Sequence, residues 1–223
     1  MILFNNIMYA TSDVKEKVKN VNNDLLNLTE IADYYETDKG NIKHLYTPIY
    51  ENVIGNLKNI NLLEIGVANG CSLKAWSHYY PNSKITGIDI NPNCKILCKD
   101  NDKINIIISD VLKYEFNDKY DVIIDDGSHI PRDMISSFIK IWDNVKSGGY
   151  YIIEDMNACK SINYVITQFK SENRSQEYIL EQLPLNTRDT LDKFLKKIST
   201  MVDVKSFNIY NAKRDQICFI EKK

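Results

Sequence analysis

The apolar positions change rhythm partway along the chain. Residues 12–35 follow a helical period, with Leu25, Leu26, Leu28, Ile31 and Ala32 on one stripe, which predicts one or two amphipathic helices. Residues 36–51 break that pattern with a polar, aromatic stretch holding Thr37-Asp38-Lys39-Gly40 and His44-Leu45-Tyr46-Thr47-Pro48, read as a loop or short helix. From Asn61 onward short β-branched apolar runs recur at 62–67, 85–90, 104–108, 121–124 and 150–153. Runs that are apolar at successive positions are expected of parallel strands covered on both faces. Between them 72–80, 93–101 and 131–145 read as helices, with Pro131 suited to a first helical position and Gly148-Gly149 to a helix-to-strand turn. The last third predicts helices near 157–170 and 187–201, then strands at 206–210 and 216–221. A short polar turn around Lys213-Arg214-Asp215 forces these two strands antiparallel.

Strand alternating with helix predicts an α/β, doubly wound sheet whose ligand crevice lies at the carboxyl ends of the strands. Parallel strands closed by an antiparallel hairpin give a Rossmann-like outline unlike that of dehydrogenase domains, which continue with a parallel strand. The expected division is a helical lead and lid segment at 1–55 and a ligand-binding domain at 56–223, forming one compact unit.

Composition narrows the partners. At 223 residues, with 43% apolar and 26% charged positions, the chain is long enough to bury a full α/β core. Thirty acidic against 28 basic residues leave a net charge of −2, without the basic footprint of a nucleic-acid binder. The basic cluster at 193–197 reads as a solvated helix face. The odd, scattered set of Cys71, Cys94, Cys98, Cys159 and Cys218 suggests reduced thiols, and Cys94 with Cys98 lacks a second pair to complete a zinc site. No run of about 18 apolar residues is present to span a membrane, and no basic segment precedes Met1-Ile2-Leu3-Phe4 as in a signal peptide. A cytoplasmic location is expected.

Polar residues gather at the predicted strand ends. Leu63-Glu64-Ile65-Gly66-Val67-Ala68-Asn69-Gly70 joins strand to helix through a turn in which Gly66 and Gly70 let a ligand approach the backbone. Glu64 can meet the ammonium of a methionine moiety. Asp89, about 20 residues beyond the glycine turn, can accept from ribose hydroxyls. Ser109 and Asp110 can reach an adenine amino group. Asp125-Asp126-Gly127-Ser128-His129 ends the fourth strand and Glu154-Asp155 the fifth. Carboxylates converging there repel one another unless a cation neutralises them, and oxygen ligands favour Mg2+, Mn2+ or Ca2+ over zinc.

These motifs, in order from about residue 31 to 156, resemble those of the metal-dependent sugar O-methyltransferases of macrolide tailoring, related to rhamnosyl O-methyltransferases, within the class I fold that uses S-adenosylmethionine. The shared stretches are Thr37-Asp38-Lys39-Gly40 with His44 and Tyr46, Leu63–Val67 with Ser72-Leu73 and Trp76, the Asp125–His129 element, and Gly148-Gly149 through Asp155. The resemblance implies that Asp126, Glu154 and Asp155 hold Mg2+ and that His129 is the general base. S-adenosylmethionine is expected at Glu64, Gly66, Asn69, Gly70, Asp89, Ser109, Asp110 and Asp125. Lys39, His44 and Tyr46 are expected in a lid over cofactor or substrate. Compared with the macrolide enzymes, only a short helical lead is expected in place of a large auxiliary domain.

The chemistry is coherent on its own terms. A divalent ion chelated by vicinal oxygens lowers the pKa of an aliphatic hydroxyl by several units, and a histidine of pKa about 6.5 can take the proton. The expected substrate is therefore a small molecule or glycan with vicinal hydroxyls, with no nucleic-acid or membrane partner and room for a homo-oligomer. A catechol-type diol is the alternative acceptor, and a non-catalytic S-adenosylmethionine- or glycan-binding module the alternative without chemistry. A ferrous hydroxylase would need two histidines and a carboxylate that the three histidines do not supply, and NAD binding fits the glycine spacing poorly.

Overall fold

A computed structural model of the protein describes residues 26–157, 175 and 188–223. The predicted helix at 157–170 beyond its first residue, the start of the lead and Cys159 lie outside the described residues. The elements run α1 (Leu28–Tyr34), α2 (Thr47–Ile54), β1 (Asn61–Ile65), α3 (Cys71–Tyr79), β2 (Lys84–Asp89), β3 (Ile104–Ile108), β4 (Tyr120–Asp125), α4 (Pro131–Ile141), β5 (Val145–Ile153), α5 (Arg188–Ile198), β6 (Val204–Asn211) and β7 (Gln216–Lys222). They build a seven-stranded sheet in the order β3-β2-β1-β4-β5-β7-β6. β1 to β5 are parallel, and β7 enters antiparallel to both β5 and β6.

Both sheet faces are covered, which explains the continuous apolar runs. Along each strand the side chains alternate: Leu62, Val122, Ile124 and Ile152 enter one core, and Leu63, Ile123, Tyr151 and Ile153 enter the other. The first core is closed by the N-terminal lead, through Leu28, Tyr46, Tyr50 and Ile54, together with Trp76 of α3. The second is closed by α4 and α5 through Met134, Phe138, Leu191 and Leu195. α1 starts on a capping box, with Asn27 Oδ1 accepting from Glu30 N at 2.9 Å and Glu30 Oε2 accepting from Asn27 N at 3.2 Å.

Three expectations need correction. The segment at 93–101 is not an α-helix but a short 3-10 helix (Pro92–Ile96) followed by turns. Ile96 is exposed there, so the segment offers the core little beyond Cys94 and Cys98, too narrow a stripe to hold a longer helix. The helix begun at Pro131 stops at Ile141, and a 3-10 turn (Trp142–Asn144) leads directly into β5. Gly148-Gly149 therefore lies inside β5, where Gly148 has φ +74° and the pairing with β4 slips between Tyr120 and Val122. A side chain at Gly149 would meet Asp121 O at 2.7 Å. Among the described residues no helix is long and apolar enough to cross a membrane.

Phe138 ties α4 to the rest of the second core, with ring centroids 4.9 Å from Trp142, 5.0 Å from Tyr151 and 5.6 Å from Phe194. Phe138→Ala is expected to cost about 3–5 kcal/mol of stability in urea denaturation, as for other buried aromatic truncations. A loss below about 1 kcal/mol, typical of surface changes, would mean that this face is not packed as described.

Candidate active site

The strand order reverses between β1 and β4, and a cleft of about 370 Å³ opens at their carboxyl ends. Its walls come from the lead (Glu36, Thr37, Asp38, Lys43), the glycine turn (Gly66 to Asn69 with Ser72), Asp89, and the strand-end residues Asp126, Gly127, His129 and Asp155. Gly66 has φ +90°, and a Cβ there would lie 2.2 Å from Asp126 O. The two turns approach this closely because Gly66 N donates to Ile88 O at 2.9 Å and Asp126 N to Ile65 O at 3.0 Å. Left-handed backbone at Glu36, Ala68, His129 and Asp155, costly for residues with a Cβ, is concentrated around the same cleft.

Strand parity sorts the carboxylates. Glu64 and Glu154 continue the alternation of Leu62 and Ile152, and Asp126 that of Ile124, so all three turn toward the core that the lead covers. Lys39 from the lead meets them there, its side chain 2% exposed. Its Nζ is 2.6 Å from Asp126 Oδ2, 2.7 Å from Glu154 Oε2 and 3.4 Å from Glu64 Oε1. Burial works against the ammonium, but Asp126, Glu154 and Glu64 outweigh it and hold its pKa well above the usual lysine range. Burial pushes the Glu64 carboxyl up to about 7 despite the pull of Lys39. Tyr50 donates a very short hydrogen bond to Glu154 Oε1, and burial with the Glu154 charge keeps its phenol protonated. Neither Glu64 nor Lys39 lines the cleft, so Lys39 is a buried counter-ion under the site rather than a lid residue, and Glu64 stands one layer behind.

Asp125 has the opposite parity. It points into the second core, accepts from Tyr151 OH at 2.9 Å and from Gly127 N at 3.4 Å, and burial lifts its carboxyl to about 7. The residue expected at the cofactor thus lies behind the Gly127 turn and outside the cleft lining. Asp155 escapes the alternation through its left-handed backbone, φ +52°. Its Oδ1 accepts from Tyr46 OH at 2.7 Å, while Oδ2 lies 3.6 Å from His129 Nε2. His129 Nε2 is also 3.9 Å from Asp126 Oδ1, and ligand atoms of Asp126, His129 and Asp155 all lie within 4.8 Å of one another.

The remaining candidates are less concentrated. Asp89 lines the cleft, but its carboxylate braces the glycine turn: Oδ2 accepts from Val67 N at 2.8 Å and Ala68 N at 3.3 Å, and Oδ1 from Asn91 N at 2.8 Å. Asn69 lines the cleft, and Gly70, φ +73°, opens α3. Ser109 and Asp110 lie outside the cleft wall, and Asp110 Oδ1 accepts from Leu112 N at 2.9 Å. His44 is buried and stacked on Tyr46 at 5.0 Å, and burial pulls its imidazole below the ordinary value. Tyr50 and Asp215 were not legible as site residues. The helical period could have placed Tyr50 inward, but only the fold brings the Asp215 turn to His44.

No protein-family model matches the chain. A mycinamicin VI 2''-O-methyltransferase of Micromonospora griseorubida is 34% identical over 145 residues, 58% of this chain and 36% of that protein. An 8-demethyl-8-(2-methoxy-alpha-L-rhamnosyl)-tetracenomycin-C 3'-O-methyltransferase of Streptomyces olivaceus is 30% identical over 145 residues, with the same shares. The chain thus matches about a third of the length of these curated relatives, 36% in each. The MycE methyltransferase of mycinamycin biosynthesis, solved with Mg, SAH and mycinamycin VI, superposes with a TM-score of 0.67 at 26% identity over 88% of this chain and 54% of that one. The chain is a homologue of named O-methyltransferases and has the Rossmann-like class I methyltransferase fold.

Lys39→Met removes the cation from three buried or half-buried carboxylates. It is expected to cost about 3–5 kcal/mol in metal-free denaturation, the usual penalty for breaking a buried ion pair from one side. Wild-type stability in that variant would show that the ammonium is not needed where it lies.

Proposed function

We propose that this chain is an S-adenosylmethionine-dependent, Mg2+-dependent O-methyltransferase acting on a sugar hydroxyl. The observation that carries the reading is the convergence of Asp126, Asp155 and His129 at one edge of the cleft. Glu154 lies directly behind through Lys39. The similarity to named sugar-directed relatives supports the choice of acceptor.

The residues fit both groups. Carboxylates with a neighbouring imidazole suit a hard divalent cation; Asp126 and Asp155 would hold it, joined by Glu154 where its Oε2 exchanges Lys39 for the ion. The cleft is of ligand size, and the Gly66 turn, which a Cβ would block, presents backbone to whatever lies against it. Bound there, S-adenosylmethionine supplies an electrophilic methyl group and Mg2+ the acidification of a chelated hydroxyl.

This chain's own residues do the rest. His129, whose Nε2 lies 3.9 Å from Asp126 Oδ1 and 3.6 Å from Asp155 Oδ2, accepts the hydroxyl proton at that nitrogen. The turn at 66–70, braced by Asp89, orients the methyl donor, with Ser109 and Asp110 toward its base. Lys39 keeps the carboxylates from repelling one another before the cation arrives. Tyr46 holds Asp155 from behind. The acceptor is a small molecule or glycan with vicinal hydroxyls, free, nucleotide-linked or glycosidic, in a cytoplasmic setting.

Methyl transfer from labelled S-adenosylmethionine to a panel of nucleotide sugars and glycosides, with and without EDTA, tests the reading. Activity indifferent to EDTA would refute the metal. Asp126→Ala is expected to abolish Mg2+-stimulated turnover while SAH binding by calorimetry stays within about threefold, less than 1 kcal/mol. For His129→Ala a loss of roughly 10²–10⁴-fold is expected in kcat, the range for a general base. A change confined to KM would remove His129 from that role.

A further inference from the structure

The proposed reaction uses only one side of Asp155. The other side faces a second group of buried ligating side chains. His44, Asp155 and Asp215 are each buried, and one ligand atom from each lies within 4.8 Å of the others. His44 carries the argument, because neither of its ring nitrogens has a hydrogen-bond partner among the described residues. A buried imidazole with both nitrogens unmatched forfeits the desolvation cost of each. His44 Nε2 points at Asp155 Oδ1, 3.6 Å away, and at Asp38 Oδ2, 3.7 Å away. Ligand atoms around one ion with bonds of about 2.1 Å stand roughly 3.4 Å apart in tetrahedral geometry, close to the 3.6 Å between His44 Nε2 and Asp155 Oδ1.

The surrounding bonds hold the set in place. Asp215 Oδ1 accepts from Asn157 N at 2.6 Å and Gln216 N at 2.7 Å, which leaves Oδ2 outside that pair of bonds. Lys213 N donates to His44 O at 2.9 Å, joining the β6–β7 turn to the lead. Asp155 is fixed by its Tyr46 contact.

We propose that His44, Asp155 and Asp215 form a second cation site, for a first-row transition ion such as Mn2+ or Zn2+, back to back with the catalytic cation through Asp155. The imidazole selects a borderline ion over Mg2+. Asp38, 46% exposed at the cleft rim, completes the ligand set with water. The ion clips the lead to the hairpin turn and to the end of β5, fixing the carboxylate that the reaction needs. The proposal shares Asp155 with the proposed function but does not depend on methyl transfer.

Chelator-stripped full chain is titrated with Mn2+ by calorimetry, and bound metal is counted after gel filtration. Wild type is expected to hold two ions, His44→Ala one and Asp126→Ala one. Wild type should also show an Mn2+-induced rise in Tm that shrinks in His44→Ala. Two ions retained in His44→Ala, or a single wild-type ion lost only with Asp126, overturns the second site and leaves the proposed function standing. A single wild-type ion lost only with His44 supports the second site and removes the catalytic one. No bound ion overturns both. If His44→Ala does not fold, Asp215→Asn, expected to lose the same ion, takes its place.

Discussion

A lysine ammonium withdrawn from water survives only among opposite charges, and in this protein the strand ends supply them. Bringing such an ion into a protein interior carries an effective penalty of several kcal/mol, so Lys39 could not lie under the sheet without Asp126, Glu154 and Glu64. The dependence is mutual: the three carboxylates, within reach of one another, need a cation between them. The lead therefore meets the sheet through the same charges that make up the acidic site. The aromatic side chains finish it, with Tyr50 closing on Glu154 and packing 4.9 Å from Trp76, and Tyr46 closing on Asp155.

That arrangement follows from the pleat. Alternation along β1, β4 and β5 sends Glu64, Asp126 and Glu154 to one face and Asp125 to the other, so adjacent acids in the chain do different things. Asp125 pairs with Tyr151 in the far core and supports the turn from below. Asp155 leaves the alternation by adopting a left-handed backbone, which frees its two oxygens to face His44 and His129 separately. Positive φ at His129 and Asp155 is tolerated because the flanking strands and the Tyr46 bond hold these residues in place.

The likeness to named O-methyltransferases covers 58% of the chain in sequence and 88% in structure. The relatives match over 145 residues. The His44–Asp155–Asp215 group adds a contact between the lead and the terminal hairpin, elements distant in the chain.

The amino-acid order by itself determined the strands, their parallel course, the closing hairpin and the acidic strand ends, because these depend on local periodicity and on turns that allow few alternatives. Helix length at 93–101 and the place of Gly148-Gly149 inside β5 escaped it, since both depend on what the neighbouring layer offers to bury. The site was legible as a set of residues but not as a geometry. Strand parity was already present in the sequence and would have turned Asp125 away from the cleft. Only tertiary structure could decide that Lys39 goes under the sheet rather than over the cleft, and that Asp215 meets His44 across 171 positions of chain. Such contacts lie far apart along the chain, and what selects them is the cost of burying charge unpaired, a quantity that exists only once the chain has closed around it.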